Sequence, residues 1–194
     1  MTVILVTGST GHVGEVLTRR VQDGGFDVRV LVRSKDQVHA AEALGRTAVL
    51  GDLARPETLA PAVRGVELVL HIAAKGGVDR AAAWAVNVDG TRALAELARD
   101  HGVRRFVHIS TMSVYGETLP PEVTEETPLA PKDEHPYVAT KSEGELVLGE
   151  VRAKGLETVI LRPGMICNAT RSQWGNELVE RLRTRGWPTG TASR

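Results

Sequence analysis

Three glycines spaced three residues apart follow the first apolar run of the chain. Gly8, Gly11 and Gly14 lie between the run Val3–Thr7 and a stretch with helical spacing of apolar residues. A strand that enters a helix through glycines directs backbone N–H groups outward at the positive end of the helix dipole, where a pyrophosphate can approach closely. We therefore predict a phosphate-binding turn; a glycine-rich turn without a ligand is the alternative interpretation. The binding residues at this turn would be Gly8, Thr10, Gly11, His12, Val13 and Gly14.

A tyrosine and a lysine four residues apart form the second chemical feature. Tyr137 and Lys141 share one face if their segment is helical. A tyrosine exchanges a proton near neutral pH only if its pKa falls from about 10 by roughly 2–3 units, and a nearby ammonium favours the charged phenolate. The pair predicts general acid–base chemistry on an oxygen atom. An exposed helix pair without a catalytic role is the alternative.

The elements that must position these residues alternate between strands and helices. Predicted strands are Val3–Thr7, Val28–Val32, Ala48–Leu50, Leu68–Ala73, Phe106–Ser110 and Thr158–Leu161. Predicted helices are Val13–Asp23, Gln37–Leu44, Pro56–Val63, Ala81–His101, Tyr137–Lys154 and, with a weaker pattern, Glu177–Arg185, whereas the proline-rich Pro120–Pro136 is predicted to be a loop. Buried apolar strands that alternate with helices are typical of βαβ units. We predict an α/β fold with a doubly wound parallel sheet.

The end of the second predicted strand bears on which dinucleotide such a fold would bind. An acidic residue there binds the ribose 2′-hydroxyl of NAD, whereas an arginine accommodates the 2′-phosphate of NADP. In this chain Arg33 follows the strand, and the first acidic residue is Asp36. A guanidinium can form a two-pronged contact with a phosphate. The sequence favours NADP, with NAD as the alternative and a solvated arginine as the non-functional interpretation.

Composition excludes several classes of protein. The 194 residues carry 24 Lys and Arg against 24 Asp and Glu, so the net charge is zero and gives no support for nucleic-acid or anionic-membrane binding. The single cysteine, Cys167, excludes an internal disulfide framework, and we predict no metal site. His71 and His108, in apolar strands, are interpreted as core histidines or as residues that support a neighbouring site residue, rather than as ligands. The absence of a long apolar run or signal peptide predicts a cytoplasmic protein without a membrane partner.

Seven motifs in order resemble those of one family. They are TGSTGHVG at Thr7–Gly14, GDL at Gly51–Leu53, HIAA at His71–Ala74, NVDGT at Asn87–Thr91, STMSVYG at Ser110–Gly116, YVATK at Tyr137–Lys141 and LRPG at Leu161–Gly164. In this order and spacing the chain resembles an extended short-chain dehydrogenase/reductase of the NAD-dependent epimerase/dehydratase type. The resemblance covers about residues 2–185.

The resemblance implies cofactor contacts at the ends of several strands. Beyond the glycine turn and Arg33, these contacts fall on Asp52, Leu53, Ala73, Ala74, Asn87, Ser110, Tyr137, Lys141 and Pro163. It implies that Thr111 holds the substrate oxygen and that Tyr137 and Lys141 form the acid–base pair of a hydride transfer. A small-molecule substrate and a homodimer formed through the two long helices are also implied.

The C-terminal part departs from the family pattern. The residues Ile166–Asn168 replace a conventional ValTyrGly-like turn, and family members continue well beyond this length. We therefore expect a Rossmann-type NAD(P)-binding domain at 1–168, and at 169–194 the remnant of a largely missing substrate lobe with a tail.

Three functions stay open at this point. The first is an epimerase, dehydratase or oxidoreductase that acts on an alcohol or ketone carbon, most plausibly of a nucleotide sugar. A carbonyl reductase or hydroxysteroid-type dehydrogenase that uses NADPH is the second. The third is of another class, a non-catalytic NADP(H)-sensing regulator or an inactive truncated fragment.

Overall fold

A six-stranded parallel sheet organises the fold. The computed structural model describes residues 2–116, 119, 121–166, 180 and 183–184. The strands are β1 (Val3–Thr7), β2 (Asp27–Val32), β3 (Thr47–Leu50), β4 (Leu68–His71), β5 (Arg105–Ile109) and β6 (Thr158–Leu161). They pair in the order β3-β2-β1-β4-β5-β6, and every pair is parallel. The winding direction reverses between β1 and β4, and ligands of doubly wound sheets bind at the carboxyl ends of the strands beside such a reversal.

Helices connect successive strands. They are α1 (His12–Asp23), α2 (Lys35–Glu42), α3 (Ala60–Val63), α4 (Arg80–Trp84), α5 (Thr91–Asp100) and α6 (Pro136–Ala153). A π-helical segment, Ala85–Gly90, joins α4 to α5, and single 3-10 turns span Pro56–Thr58 and Met112–Tyr115. Local signals set several helix starts. Ser34 caps α2 by accepting a hydrogen bond from the Gln37 N–H, and Pro136 occupies the first turn of α6, where no backbone N–H is needed.

Apolar side chains cover both faces of the sheet, because successive residues of a strand point to opposite sides. In β1, Leu5 joins a cluster that includes Leu94 of α5 and Leu148 of α6. Ile4 and Val6 join a second cluster on the other face, against which α1 packs. The result is a three-layer α/β/α arrangement that buries the central strands on both sides.

The predicted fold class is confirmed, and most predicted elements lie within two residues of their observed bounds. The first and last predicted strands match β1 and β6 at both ends. The predicted helix Pro56–Val63 is instead a 3-10 turn followed by α3, and the predicted helix Ala81–His101 is divided by the π-helical segment. Pro61 explains the first difference, because a proline lacks the N–H that a continuous helix would use.

The chain divides into two compact units, Met1–Pro163 and Gly164–Arg194, and the whole sheet belongs to the first. The predicted boundary at residue 168 stays a prediction. The predicted helix Glu177–Arg185, apart from residues 180 and 183–184, and the predictions for Cys167 and the tail lie outside the described residues. No helix in the described part is long and apolar enough to cross a membrane.

Candidate functional site

The predicted site residues gather at one edge of the sheet. All six strands are parallel, so their carboxyl ends meet at the same edge. The glycine turn follows β1, Arg33 follows β2 and Asp52 follows β3. The other three strands lead into the segments that hold Ala73 and Ala74, Ser110 and Thr111, and Pro163, in that order. Residues far apart in the sequence are therefore brought to one edge of the sheet.

The glycine turn is tightly folded between β1 and α1. Gly8 has a φ of +72°, and a Cβ there would lie 2.7 Å from the Ala73 nitrogen. A Cβ on Gly14 would lie 1.9 Å from the Gly8 carbonyl oxygen, so only glycine permits this approach. Gly11 is the N-cap of α1 and provides no side-chain cap. The first N–H groups of a helix have no intrahelical partner, so they are available to an anion here.

Asn87 fixes the segment after β4 to α6. Its side-chain oxygen accepts from the Lys75 N–H at 2.8 Å, and its amide nitrogen donates to the Lys75 carbonyl at 2.9 Å and to Thr140 Oγ1 at 3.0 Å. Asn87 is buried in the π-helical segment, and Gly144 of α6 packs against its backbone, where a Cβ would lie 2.6 Å from the Asn87 oxygen. Asn87 thus connects the two segments that carry the alanines predicted to line the cofactor and the predicted acid–base pair.

Lys141 is buried, with its ammonium directed at β5. Its Nζ lies 3.0 Å from His108 Nε2 and 2.9 Å from the Ile109 carbonyl oxygen. Burial lowers the pKa of Lys141 to about 8, against a smaller upward effect of Glu145. The ammonium form therefore predominates at pH 7.

Tyr137 lies one helical turn before Lys141 and is half-buried. Burial raises the pKa of its hydroxyl. The sequence predicted the opposite direction, with the ammonium of Lys141 lowering this pKa. The difference has a physical reason: burial disfavours the charged phenolate, and the hydrogen bonds that the Lys141 ammonium makes within the described part go to His108 and the Ile109 carbonyl, not to the phenol. Tyr137 is protonated at neutral pH in this arrangement.

Thr111 caps the turn after β5. Its Oγ1 accepts from the Ser113 N–H at 3.2 Å, and the Met112 N–H donates to the Pro163 carbonyl at 2.9 Å. Ser110 is buried, and its Oγ has no hydrogen-bond partner among the described residues. The turn therefore places two hydroxyl groups at the carboxyl end of β5.

Arg162, in the segment after β6, holds this region together. Its guanidinium makes three contacts with the Glu145 carboxylate, at 2.6, 3.0 and 3.1 Å. It also donates to Tyr115 Oη at 2.6 Å and to the Glu125 carbonyl at 3.1 Å. Tyr115 in turn donates to the Thr124 carbonyl. We call Arg162, Glu145 and Tyr115 the arginine clamp; it connects β6, α6, the turn after β5 and the proline-rich loop.

The residues predicted for the adenosine end follow β2 and β3, which lie on the opposite side of β1 from β4, β5 and β6. Arg33 is exposed, and within the described part its guanidinium makes no hydrogen bond or ion pair. Asp52 accepts from the Ala54 N–H through Oδ1, while Leu53 is buried against Gly90. The structure therefore leaves Arg33 available for a ligand and uses Asp52 to shape the turn after β3.

Sequence reasoning missed the arginine clamp as part of the site, and it did not identify Lys141 as the partner of His108. His71 and His108 are buried, which confirms their interpretation as core residues. The signal for His108 was its place on the strand before Ser110, which puts it under α6 if the predicted helix covers that strand. The signal for the clamp was the glutamate four residues after Lys141, on the same helix face.

The residues at this edge fit a dinucleotide cofactor. The glycine turn is closely packed where Gly8 and Gly14 lack a Cβ, and it leads into a helix start without a side-chain cap. His12 Nδ1, at the start of α1, and Ser110 Oγ, just after β5, are buried polar atoms without partners among the described residues. The fold and this arrangement define a nucleotide-binding protein of the Rossmann class.

The comparisons with known proteins identify the family within this class. The family model described as the NAD dependent epimerase/dehydratase family matches residues 4–185. The chain is 33% identical over 183 residues to a 4-hydroxy-2-methyl-3-oxo-4-farnesyl-3,4-dihydroquinoline-1-oxide ketoreductase of Stigmatella aurantiaca, covering 93% of this chain and 55% of the relative. The chain belongs to the NAD-dependent epimerase/dehydratase family, a part of the short-chain dehydrogenases/reductases.

Solved structures agree with this assignment. A short-chain dehydrogenase/reductase superfamily protein from Agrobacterium tumefaciens, with NAD bound, matches with a TM-score of 0.71 and 39% identity over 82% of this chain and 48% of that chain. A dTDP-glucose 4,6-dehydratase from Streptomyces venezuelae, also with NAD bound, matches with a TM-score of 0.71 and 32% identity over 83% of this chain and 55% of that chain. The chain spans about half the length of the curated relatives that it matches.

Proposed function

We propose that this chain is the cofactor-binding and catalytic part of an NAD(P)-dependent epimerase, dehydratase or oxidoreductase. One observation carries the proposal: a glycine turn suited to pyrophosphate and a Tyr137–Lys141 pair stand at the same edge of one parallel sheet. The reaction would oxidise or reduce an alcohol or ketone carbon. When bound, the nicotinamide ring supplies the hydride acceptor or donor of such a reaction.

Three side chains would perform the proton chemistry. Thr111 would hold the substrate oxygen by a hydrogen bond, which strengthens as charge develops on that oxygen. Tyr137 would exchange a proton with the same oxygen. Because burial keeps the phenol protonated, the arrangement favours proton donation, the step that carbonyl reduction requires. Lys141 would stabilise the phenolate left behind and bind the nicotinamide ribose through the N–H that its two protein contacts leave over.

The remaining predicted residues would bind the cofactor along the carboxyl ends of the strands. Backbone N–H groups of the glycine turn would bind the pyrophosphate, and Arg33 would bind a 2′-phosphate. NADP is therefore the proposed cofactor and NAD the alternative. The guanidinium of Arg33, which is exposed and has no partner in the described part of the chain, supports NADP. Support for NAD comes from the relatives that hold it.

A nucleotide sugar is the proposed small-molecule substrate. The similarity to a dTDP-glucose 4,6-dehydratase supports it. Reduction of a ketone is the second candidate, favoured by the similarity to a ketoreductase and by the protonated Tyr137. A cytoplasmic location and a homodimer, with no nucleic-acid or membrane partner, stay predictions from the sequence.

A single substitution tests the proposal. Tyr137→Phe removes the proton-transferring hydroxyl and keeps the ring. We expect turnover to fall at least a hundredfold, with cofactor affinity within about threefold of wild type. Turnover of ketones is measured by the absorbance change at 340 nm. Turnover of dTDP-glucose is measured by chromatography of the products, because epimerisation or dehydration returns the hydride to the substrate and leaves no net change at 340 nm. Turnover that survives this substitution would refute the assigned mechanism. Retained cofactor binding with no turnover even in wild type would favour the sensing regulator.

A further inference from the structure

Three polar side chains form one row across the neighbouring strands β1, β4 and β5, near the carboxyl ends of these strands. Thr7 pairs with His71 in the β1–β4 register, and His71 pairs with His108 in the β4–β5 register. All three are buried on the face that α5 and α6 cover. The row begins beside Gly8 of the phosphate-binding turn and ends under Lys141.

The inner part of the row is held by hydrogen bonds and stacking. His71 Nδ1 lies 2.7 Å from Thr7 Oγ1, and its Nε2 lies 3.0 Å from Thr91 Oγ1. The rings of His71 and His108 stack with centroids 5.1 Å apart at an angle of 28°. The two hydrogen bonds fix the orientation of the His71 ring, and the His108 ring stacks on it.

The contact between His108 and Lys141 has only one reasonable polarity. An ammonium has three N–H donors and no acceptor. Burial lowers the pKa of His71 to about 3 and the pKa of His108 well below its ordinary value, so both rings are neutral at pH 7. The ammonium of Lys141 therefore donates to His108 Nε2, and the His108 proton resides on Nδ1. A second N–H is donated to the Ile109 carbonyl, which leaves the third for the site.

Packing alone does not account for an imidazole at this position. His108 Nδ1 is buried and has no hydrogen-bond partner among the described residues. A leucine or phenylalanine would fill similar space without placing an unpaired N–H in the interior. What the imidazole provides, and an apolar side chain does not, is an acceptor 3.0 Å from the lysine nitrogen.

We propose that His108 is a positioning residue for Lys141: its neutral Nε2 accepts one N–H of the buried ammonium, keeps the ammonium charged and directs the remaining N–H toward the Tyr137 side of the site. This inference rests on the proposed function for the catalytic meaning of Lys141. The hydrogen bond between His108 and Lys141 and the charge of Lys141 are independent of that function, because both can be measured without turnover.

The other ionisable groups around Lys141 do not replace His108. Glu145, one turn later on α6, favours the ammonium but is paired with Arg162. His71, next to His108 on the same face of the sheet, is neutral. Tyr137, one turn earlier on α6, is protonated at neutral pH. Besides the Ile109 carbonyl, His108 is thus the acceptor that contacts the nitrogen directly.

The charge of Lys141 is measured by NMR on the full chain. The chain contains five lysines, so the 13Cε signals of lysine can be assigned with Lys141→Arg as the reference. We expect the Lys141 signal to titrate near pH 8 in the wild type. His108→Leu and His108→Phe should lower this midpoint by about one pH unit, since a hydrogen bond to a charged group is lost. His108→Gln, which restores an acceptor at similar reach, should return it toward wild type.

His71→Phe is the matched control. It removes the neighbouring imidazole of the same row and leaves the acceptor of Lys141 in place, so the midpoint should stay within about 0.3 units of wild type. A midpoint unchanged in the His108 variants, or lowered equally by His71→Phe, would overturn the proposal. A merely structural role for His108 would lower stability without moving the Lys141 midpoint.

A measurement on the wild type covers the case in which the variants do not fold. The nitrogen shifts of 15N-labelled histidine distinguish the two neutral tautomers, and we expect His108 to carry its proton on Nδ1 between pH 6 and 8. A proton on Nε2 would contradict the proposal. If turnover is absent while these signals agree, the proposed function fails and the positioning role of His108 stands; if turnover is present while they disagree, the reverse holds.

Discussion

Removing the cation of the arginine clamp should destabilise the protein strongly. The side chain of Glu145 is 1% exposed, and all its hydrogen bonds in the described part come from Arg162. Arg162→Met would leave a carboxylate buried without its partner. Loss of one member of a buried ion pair costs about 3–5 kcal/mol, because the remaining charge stays desolvated.

The double variant separates the charge effect from the loss of packing. In Arg162→Met with Glu145→Leu neither charge of the ion pair remains, so no unpaired carboxylate is buried and we expect more than half of the lost free energy of unfolding to return. The matched control is the exposed pair Arg105–Glu157, whose side chains are 41% and 51% exposed. Arg105→Met should change the free energy of unfolding by less than about 1 kcal/mol.

Urea unfolding followed by circular dichroism measures all four proteins, wild type included. Equal destabilisation by Arg162→Met and Arg105→Met would refute the reasoning, since it would mean that burial does not set the cost. A double variant no more stable than Arg162→Met would also refute it, because the buried charge would then not be the cause. Catalytic activity should fall with Arg162→Met, since the clamp fixes the turn that carries Thr111 to α6.

Three further predictions concern the elements around the site. Gly14→Ala should cost about 1–3 kcal/mol of stability and weaken cofactor binding in a titration, because its Cβ would meet the Gly8 oxygen at 1.9 Å. The control Gly149→Ala, in an open helical position, should stabilise the protein by about 0.5–1 kcal/mol, and equal effects of the two substitutions would contradict the prediction. Asn87→Ala should cost about 1–3 kcal/mol in urea unfolding, since the Lys75 backbone loses its partners, and an unchanged midpoint would count against it. Because burial lowers the pKa of His71 to about 3, the unfolded state binds more protons than the folded state below pH 6.5. The contribution of neutral His71 to the free energy of unfolding is therefore complete above pH 6.5 and decreases toward pH 3, by up to about 1.4 kcal/mol per pH unit. A free energy of unfolding that stays constant between pH 6 and 4 would refute this prediction.

The sheet could be predicted from the sequence because its strands are short and apolar on both faces. Strands β1 and β6 have the predicted bounds, and the positions of the site loops follow from the parallel arrangement. Once the strands are known to be parallel, the glycine turn and Thr111 must lie at the same edge. Tyr137 and Lys141 lie near that edge because α6 begins there, before it returns the chain toward the start of β6.

The side-chain partners could not be predicted, because they depend on register and on the depth of helix packing. The sequence indicated that Lys141 would act on Tyr137, but the β4–β5 register places His108 where it takes one N–H of the lysine. Likewise, the spacing of apolar residues in Ala81–His101 predicts a continuous helix and gives no sign of a π-helical segment. That segment arises where Asn87 turns inward to bond the Lys75 backbone.

Calorimetric titration of the chain with NADP⁺ and, separately, NAD⁺ tests most directly the claim that this edge of the sheet binds a dinucleotide. We predict one binding site per chain and tighter binding of NADP⁺, with Arg33→Ala lowering the affinity for NADP⁺ toward that for NAD⁺. Tighter binding of NAD⁺ would keep the site and remove the role assigned to Arg33. No heat of binding with either dinucleotide at millimolar concentration would contradict the account.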